Sequence, residues 1–406
     1  MVRLMDLNRL YTPKQIEILK RTNTEDFFIL GLHGAKRTGK TVINNDIFLR
    51  ELIRVRKIAD KLKIKEPMYI LAGVSSKTIQ NNVLQEIYNR YQLDIKFDKH
   101  NSFTLFGVKV VQAFTGTIRG LGGIRGMTAF GAYINEGTTA SEIAFKEILS
   151  RCSVEGARII MDTNPEDPEH YIKKDYIDKA DGERLIEINF SLYDNTFLSQ
   201  EYIKNMELVT PSGVFFDRNI KGMWTTADGA VYQDFDKAKH LITDISQYNF
   251  IDYVVGIDWG YEHYGAICLF GITNNNEFIL LKTIRKQYKE IDYWIDRLRE
   301  IKRQYGNIQM YADSARPEYI ARCRKEKLKV FNGDKAVLSG IEKVASLIKQ
   351  NKFLIYDSND FLQEIYKYVW DKKTGQPQKK NDDLMDAIRY AIYSYKEKKE
   401  FKIISV

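Results

Sequence analysis

The chain has 406 residues, 44% of them hydrophobic and 29% charged, which is long enough for two domains with separate cores. No apolar stretch approaches a membrane span, no signal-peptide pattern is present, and three distant cysteines suggest neither a disulfide framework nor a zinc site, so we expect a cytosolic protein. The net charge of +8 permits a polyanionic partner such as DNA but does not require one.

The most restrictive motif in the first half is a phosphate loop at residues 34–41, Gly-Ala-Lys-Arg-Thr-Gly-Lys-Thr. Residues 27–32 predict a buried strand before this loop, and residues 42–58 predict a helix after it. In that setting backbone N–H groups and the helix N-terminus hold phosphates, Lys40 reaches the β- and γ-oxygens, and the Thr41 hydroxyl binds Mg²⁺. The alternative is a glycine turn that binds nothing. The predicted nucleotide contacts within the loop are Gly34, Arg37, Thr38, Gly39, Lys40 and Thr41.

Apolar runs alternate with helical patterns through the rest of the first half. The predicted elements are a strand at 68–74, a helix at 78–91, a hairpin at 103–114, and strands at 128–134 and 158–161. This alternation predicts an α/β domain with a mainly parallel sheet.

The strand that ends in Asn135-Glu136 has the pattern of a Walker B strand. Such strands usually end in Asp-Glu, where the Asp supports the magnesium site and the Glu is the base for the attacking water. Glu136 stands in the position of the base, whereas Asn135 departs from the pattern and carries no negative charge. The alternative is a surface strand end with an incidental carboxylate.

Two arginines are candidates for neutralising charge in the transition state of ATP hydrolysis. Arg37 lies inside the phosphate loop, and we expect it to contact the nucleotide in the same subunit. Arg125 lies in the glycine-rich stretch 116–126, and we expect it to reach the nucleotide of a neighbouring subunit. DNA-facing or solvated side chains are equally good interpretations of each arginine.

Three further polar residues are candidates for nucleotide sensing. Gln15 offers a donor and an acceptor for the adenine edge, although its position also suits a helix start. Thr163 and Asn164 follow a strand and precede a proline, where they could sense the γ-phosphate and relay its loss. A routine Asn-Pro turn is the alternative there.

The second half begins after a loose, glycine-containing stretch at 215–235. A new strand is predicted at 253–257, with hairpin partners at 265–271 and 277–284, a helix at 291–305 and a strand at 308–312. These elements predict a second α/β domain with its own sheet. We therefore expect a first domain at 1–225, a junction at 226–250 and a second domain at 251–406.

Carboxylates in the second half suggest a metal site. Asp258 and Asp313 each end a predicted strand, and Asp383 and Asp386 have i, i+3 spacing on one helix. Carboxylates gathered from two strand ends and a helix suit two Mg²⁺ or Mn²⁺ ions, which can support phosphodiester cleavage. Each aspartate taken singly is better explained as a cap or a surface residue.

The ordered set of motifs resembles the large subunit of tailed-phage terminases, and most closely the PBSX-type branch. The residues that carry the resemblance, apart from the phosphate loop, are Gln15, Ile124 to Met127, Ile134 to Glu136, Thr163 to Pro165, Gly222 to Trp224, Gly256 to Gly260, Asp313 to Ala315 and Asp386 to Tyr390. Two positions depart from the family pattern: Asn135 replaces the usual Asp, and Asp383 stands where relatives often carry His.

The resemblance implies an ASCE-type phosphate-loop ATPase domain joined to an RNase H-like nuclease domain. It implies ATP with one Mg²⁺ at the first site and two Mg²⁺ or Mn²⁺ ions at the second. The implied function is ATP-driven packaging of double-stranded viral DNA into procapsids and cutting of concatemeric DNA. The implied partners are a portal ring, a small terminase subunit and further copies in a pentameric ring, in the host-cell cytoplasm and transiently on the procapsid.

Two other functions stay open at the level of sequence. The first is a helicase- or repair-type ATPase whose second domain binds DNA without cutting it. The second is an assembly factor with a degenerate nucleotide site. Metal-dependent plasmid cleavage separates the terminase from the helicase, and ATP turnover excludes the assembly factor.

Overall fold

A computed structural model describes residues 7–356, 358–380 and 382–396. These residues form two compact units, 7–204 with 216–226, and 205–215 with 227–396. The chain therefore contributes a short segment, 205–215, to the second unit before it returns to the first. The contiguous domain limits drawn from the sequence stay a prediction.

The first unit is a seven-stranded sheet flanked by helices. Its strands are β1 Ile29–Gly34, β2 Met68–Gly73, β3 Ser102–Leu105, β4 Val108–Phe114, β5 Gly131–Ile134, β6 Arg158–Thr163 and β7 Leu185–Phe190. Its helices are α1 Pro13–Thr24, α2 Lys40–Lys61, α3 Ser76–Ile79, α4 Gln85–Tyr91, α5 Glu142–Arg151, and α6 Gln200–Val209 and α7 Val214–Asn219, which run across the limits of the unit. A π-helical segment, Gln80–Leu84, joins α3 to α4.

The strand order in this sheet is β3-β4-β2-β5-β6-β1-β7. All neighbouring pairs are parallel except β3 with β4, which form the antiparallel hairpin expected from residues 103–114. Apolar side chains fill both faces of the sheet, which explains why its central strands are almost continuously hydrophobic. Because β5, β6 and β1 are adjacent and parallel, the residues that follow them meet at one edge of the sheet.

Local sequence explains how the two helices nearest that edge begin. Thr12 and Gln15 form a capping box at the start of α1, in which each side chain accepts a hydrogen bond from the other residue's backbone N–H. Gly39 precedes α2 with φ of 85°, a left-handed conformation that favours glycine. The phosphate loop is thus held between a buried strand and a helix N-terminus.

The second unit contains a mixed seven-stranded sheet. Its strands are β8 Leu241–Ile242, β9 Phe250–Asp258, β10 Gly265–Thr273, β11 Phe278–Lys286, β12 Gln309–Ala312, β13 Val330–Asn332 and β14 Phe353–Tyr356. Its helices are α8 Lys237–His240, α9 Ile291–Tyr305, α10 Pro317–Lys325, α11 Val337–Lys349, α12 Asn359–Ile365 and α13 Asp383–Ser394.

The strand order in this sheet is β13-β12-β9-β10-β11-β14-β8. The long strands β9, β10 and β11 are antiparallel neighbours, and β12 pairs with β9 in parallel. One face is covered by α13 and α11, and the other by α9 and α10. Since β9 and β12 are adjacent and parallel, the carboxylates that end them, Asp258 and Asp313, lie side by side.

Candidate functional sites

The phosphate loop closes tightly between β1 and α2. Gly34 has φ of 140°, and a Cβ there would lie 1.9 Å from the Phe190 carbonyl oxygen, so only glycine fits. The Lys40 ammonium is buried and donates hydrogen bonds to the carbonyl oxygens of Gly34 at 2.9 Å and Ala35 at 2.5 Å. Burial lowers the pKa of Lys40 to about 8, and the nearby Asp162 carboxylate opposes this shift. The lysine is therefore folded onto its own loop.

The loop forms one wall of a cavity of about 490 Å³ at the carboxyl edge of the sheet. The predicted nucleotide-site residues in its lining are Arg37, Thr38, Gly39, Lys40, Thr41, Glu136 and Asn164. Asn81, Asn82, Glu86, Asp162 and Thr163 line it as well. The cavity fits a nucleoside triphosphate with its divalent cation. The reason is that loop amides, a lysine, a threonine hydroxyl and carboxylates line the same space.

Glu136 is held at the rim of this cavity. It has φ of 56°, and its half-buried carboxylate accepts a 3.3 Å hydrogen bond from the Asn82 amide. Burial raises the pKa of Glu136, and the Asp162 carboxylate raises it further. A carboxylate made more basic in this way is suited to accept a proton from water.

Asp162 is a functional candidate that the sequence analysis did not select. It is buried at the end of β6 and accepts hydrogen bonds from the Tyr133 hydroxyl at 2.6 Å and the Asn135 amide at 2.8 Å. Burial raises the pKa of Asp162, and the hydrogen bond from Tyr133 opposes this shift. The sequence feature that could have identified Asp162 is that two predicted strands, now seen as the parallel neighbours β5 and β6, both end in polar residues.

Thr163 and Asn164 lie where a relay would need them. The Thr163 hydroxyl accepts a 2.9 Å hydrogen bond from the backbone N–H of Thr138. The Asn164 side chain accepts a 3.3 Å hydrogen bond from Lys40, so it contacts the lysine that would otherwise bind phosphate. Their role as sensors stays a prediction.

The remaining candidates of the first domain are one buried residue, Gln15, and two exposed arginines, Arg37 and Arg125. Gln15 is buried, its amide donates to the Gly39 carbonyl at 2.9 Å, and its oxygen accepts from Thr12 N–H at 2.9 Å. Both of its polar groups therefore already have partners in the protein. Arg37 is exposed at the cavity and Arg125 is exposed outside the residues that line it. The adenine and arginine-finger roles stay predictions.

A second, larger groove of about 750 Å³ lies on the outer side of α1 and α2. Its lining is mostly apolar and includes Tyr11, Leu19, Leu49 and Ile53. It does not include the phosphate loop, Glu136 or Asp162. The chemistry of the first domain therefore belongs to the smaller cavity.

The second domain brings its predicted carboxylates together at one end of β9. A Cβ on Gly256 would lie 1.8 Å from the Ala387 carbonyl oxygen, so α13 packs directly against the backbone of β9. This close approach places Asp386, one residue before Ala387, near Asp258. The pKa of Asp258 is raised well above its usual range, first by burial and then by the charges of Asp386 and Asp313. Either a proton or a cation can offset like charges that are brought together in this way.

Basic side chains currently contact the other three carboxylates. The ion pairs are Arg389 with Asp386 at 3.0 Å, Lys335 with Asp313 at 3.4 Å and Arg285 with Asp383 at 3.0 Å. Within the described residues, no group of three or more His, Cys, Asp or Glu side chains is arranged as a ready metal cage. The carboxylate oxygens are nevertheless of the kind that Mg²⁺ and Mn²⁺ prefer. The metal-ligand role of the four aspartates stays a prediction.

Asp382 and Glu364 are acidic neighbours of this cluster that the sequence analysis did not select. Burial and the charge of Asp386 raise the pKa of Asp382 to about 6. Burial raises the pKa of Glu364 to about 8, while its carboxylate accepts a 2.9 Å hydrogen bond from Met385 N–H. Arg285 lies between Glu364 and Asp383 and pairs with both. This end of the domain therefore holds two acidic groups in addition to the four predicted aspartates.

The close contact at Gly256 gives the first prediction. We expect Gly256→Ala to separate α13 from β9, lower the free energy of unfolding by about 3 kcal/mol and reduce metal-dependent plasmid cleavage. Urea unfolding followed by tryptophan fluorescence and a plasmid assay measure both effects. Gly123→Ala is the control, because a Cβ there meets its nearest neighbour at 3.8 Å. Unchanged unfolding and cleavage in Gly256→Ala would contradict the prediction.

Family models match both halves of the chain. Residues 32–238 match "Terminase large subunit, T4likevirus-type, N-terminal", and residues 255–394 match "Terminase RNaseH-like domain". The chain belongs to the terminase large subunit family. The predicted fold class is therefore confirmed: an N-terminal ATPase domain and a C-terminal RNase H-like nuclease domain. The PBSX-type branch stays a prediction.

Solved structures agree with this assignment at the level of the fold. The large terminase from the thermophilic bacteriophage D6E superposes with a TM-score of 0.78 at 24% identity, over 94% of this chain and 98% of that one. The same D6E protein in complex with ADP gives 0.76 at 24%, and in complex with ATP-gamma-S 0.74 at 25%, with the same coverage. No curated protein matches the chain.

Membership of the family decides between the functions left open above. The enzyme is an ATPase and a nuclease of the DNA-packaging machinery, and the helicase- or repair-type alternative is not favoured. Among the described residues, no helix is long and apolar enough to cross a membrane.

Proposed function

We propose that this terminase hydrolyses ATP in the cavity at the phosphate loop and cuts DNA at the carboxylate end of β9. The observation that carries the proposal is that a cavity lies beside the phosphate loop at the first sheet and that several aspartates come together at the second. The nucleotide complexes of the D6E terminase support ATP as the ligand of the first site.

In the first domain, Lys40 binds the β- and γ-phosphates after leaving the carbonyl oxygens of Gly34 and Ala35. Thr41 would hold the magnesium ion, and Glu136 accepts the proton of the attacking water. Arg37 contacts the phosphates in the same subunit, and Arg125 reaches them from a neighbouring subunit. Gln15 contributes to the adenine site once it exchanges one of its present partners.

Departure of Lys40 from Asn164 links nucleotide binding to the turn after β6. The present Lys40–Asn164 hydrogen bond is 3.3 Å long, at the weak end of the usual range. When phosphate replaces Asn164 as the partner of Lys40, the Asn164 side chain is free to contact the γ-phosphate. Thr163 then passes the change to Thr138 through their 2.8 Å side-chain hydrogen bond.

In the second domain, Asp258, Asp313, Asp383 and Asp386 would hold two Mg²⁺ or Mn²⁺ ions. Lys335 and Arg389 now pair with Asp313 and Asp386, so these ion pairs would have to open for the same carboxylate oxygens to hold a metal. When bound, the metals supply Lewis-acid stabilisation of the cleaved phosphodiester. Arg285 and Glu364 fix the position of Asp383 through a buried ion-pair network.

The packaging machinery supplies the other partners. We propose that the chain assembles as a homo-oligomeric ring, a pentamer, on the portal of an empty procapsid in the host-cell cytoplasm. A small terminase subunit selects the double-stranded DNA, the first domain moves it, and the second domain cuts the concatemer. The net charge of +8 supports contact with the DNA backbone.

Lys40→Ala separates the two activities. We expect this variant to lose ATP hydrolysis by at least about 100-fold, because it removes the charge that contacts the phosphates. Plasmid cleavage should continue in the variant and should stop in both proteins when EDTA removes the metals. Phosphate release and plasmid nicking in Mn²⁺ measure the two activities of the full chain. Wild-type protein that neither hydrolyses ATP nor nicks plasmid, with DNA and portal present, would contradict the proposal.

A further inference from the structure

Asn135 and Asp162 occupy adjacent positions on neighbouring strands. Ile134 of β5 pairs with Met161 of β6 in parallel register, so the next residue on each strand faces the other. The Asn135 amide nitrogen donates to the Asp162 carboxylate at 2.8 Å, and both side chains are buried. The residue that departs from the Walker B pattern is therefore in direct contact with a carboxylate that the pattern does not include.

The hydrogen bonds around Asp162 are all of one polarity. Its carboxylate accepts from the Tyr133 hydroxyl, the Asn135 amide and the Glu136 backbone N–H at 2.6, 2.8 and 3.2 Å. Three donors and no acceptor match the ionised carboxylate, which can only accept. These three donors favour the anionic form of the buried carboxylate.

The Asn135 amide is oriented by partners on both sides. Its nitrogen donates to Asp162, and its oxygen accepts a 3.1 Å hydrogen bond from the Asn82 amide. The same Asn82 nitrogen donates to Glu136 at 3.3 Å. An aspartate at position 135 would place a second carboxylate 2.8 Å from Asp162, which costs free energy because like charges repel. Asparagine at 135 and aspartate at 162 are therefore a complementary pair.

We propose that Asp162 supplies the negative charge for the magnesium ion of the nucleotide, in place of an aspartate at position 135. Asp162 lines the phosphate cavity together with Lys40 and Thr41, the residue predicted to bind the cation. The Walker B function is then divided between two strands: β6 carries the anion, and β5 carries the neutral partner and the base. This inference rests on the proposed ATPase function.

The pairing also assigns a positioning role to Asn135. Through Asn82, the amide that holds Asp162 is connected to the Glu136 carboxylate. A change at 135 therefore moves both the anion and the base, whereas an exchange of the two residues keeps one negative charge and one amide in contact. The exchanged pair is the most direct test.

The experiment measures binding of a fluorescent ATP analogue to the full chain with EDTA or with increasing Mg²⁺. We expect Asp162→Asn to bind the Mg²⁺-free analogue like the wild type and to need about 10- to 100-fold more Mg²⁺ for tight binding. The double variant Asn135→Asp/Asp162→Asn should return to within about threefold of the wild-type Mg²⁺ requirement, the expectation for a coupled pair. Asp26→Asn, at an exposed site, is the matched control.

The outcomes separate this inference from the proposed function. An unchanged Mg²⁺ requirement in Asp162→Asn overturns the inference, and so does an equal loss of binding with and without Mg²⁺, which indicates a structural role. If Asp162→Asn does not fold, the double variant alone tests the inference. The inference is overturned if the double variant does not fold, or if its Mg²⁺ requirement does not return to that of the wild type. Two other outcomes overturn the proposed ATPase function instead. Either the wild-type protein does not bind the analogue, or Lys40→Ala binds the analogue as tightly as the wild type does.

Discussion

Asp258→Asn is expected to reduce metal-dependent plasmid cleavage by more than about 100-fold. A loss of about 100-fold is the upper limit usually seen when a residue that only hydrogen-bonds to a metal ligand is replaced, and a ligand itself should cost more. The reason is that Asp258 is buried and the charges of Asp386 and Asp313 act on its carboxylate, raising its pKa. ATP hydrolysis should be unchanged, because the first domain has its own sheet and its own site.

The matched control for this variant is Asp292→Asn. Asp292 is also in the second domain, but its side chain is 77% exposed and pairs with Arg322 at 3.6 Å. The control should cut plasmid at the wild-type rate in the same Mn²⁺ series. Normal cleavage by Asp258→Asn would remove the carboxylate cluster from the nuclease mechanism.

The same variant has an expected effect on stability in metal-free buffer. The pKa of Asp258 in the folded protein is raised by burial and by the charge of Asp386. In the unfolded chain the pKa of an aspartate is about 3.9. The folded state therefore keeps the Asp258 proton at pH values where the unfolded chain has lost it. The contribution of Asp258 to wild-type stability therefore falls as the pH rises above about 4. Asp258→Asn lacks this fall, and its melting temperature relative to the wild type should rise from pH 5 to pH 8. Added Mn²⁺ should raise the wild-type melting temperature more than that of the variant.

Features that are contiguous in the chain could be predicted from sequence. The phosphate loop is one such feature, because its glycines, lysine and threonine lie within eight residues and the flanking strand and helix are strongly patterned. The strand ends at Asp258 and Asp313 are another, because a buried strand that stops at a carboxylate needs no knowledge of its neighbours. The helix from Ile291 to Tyr305 was predicted with the limits that the structure has.

Features that depend on contacts between distant segments could not be predicted in this way. Arg285 and Asp383 are 98 residues apart, and no local pattern shows that they form an ion pair. Gln15 illustrates the same limit, since its partner Gly39 lies on another element. Asp162 required the register of β5 against β6, which places it beside Asn135. Each of these contacts changes the chemistry of a site without leaving a mark in the local sequence.

The path of the chain between the two units also depends on contacts that the local sequence does not show. Residues 205–215 pack with the second unit although they precede residues 216–226, which pack with the first. Val214 and Phe215 are buried in the core of the second unit, so their hydrophobicity is used there rather than in the sheet that precedes them. A search for a single composition shift along the chain cannot detect a segment that is exchanged in this way.

Glu136→Gln is expected to lower ATP hydrolysis by about 10²- to 10⁴-fold, the contribution usual for a positioned general base. Gln has nearly the same shape and can keep the hydrogen bond from Asn82 through its oxygen, so the cavity should still bind nucleotide. What the variant loses is the ability to take a proton from water. Single-turnover hydrolysis and binding of a fluorescent ATP analogue measure the two properties separately.

Glu142→Gln is the matched control, because Glu142 is exposed at the start of α5 and pairs with Lys146 on the same helix. It should hydrolyse ATP at the wild-type rate, and both variants should cut plasmid normally. Retained hydrolysis in Glu136→Gln would mean that another group takes the proton, and Asp162, a buried carboxylate that also lines the cavity, would be the residue to test next. Loss of nucleotide binding in Glu136→Gln would instead show that the carboxylate supports the structure of the cavity, because a base is needed for the chemical step and not for binding.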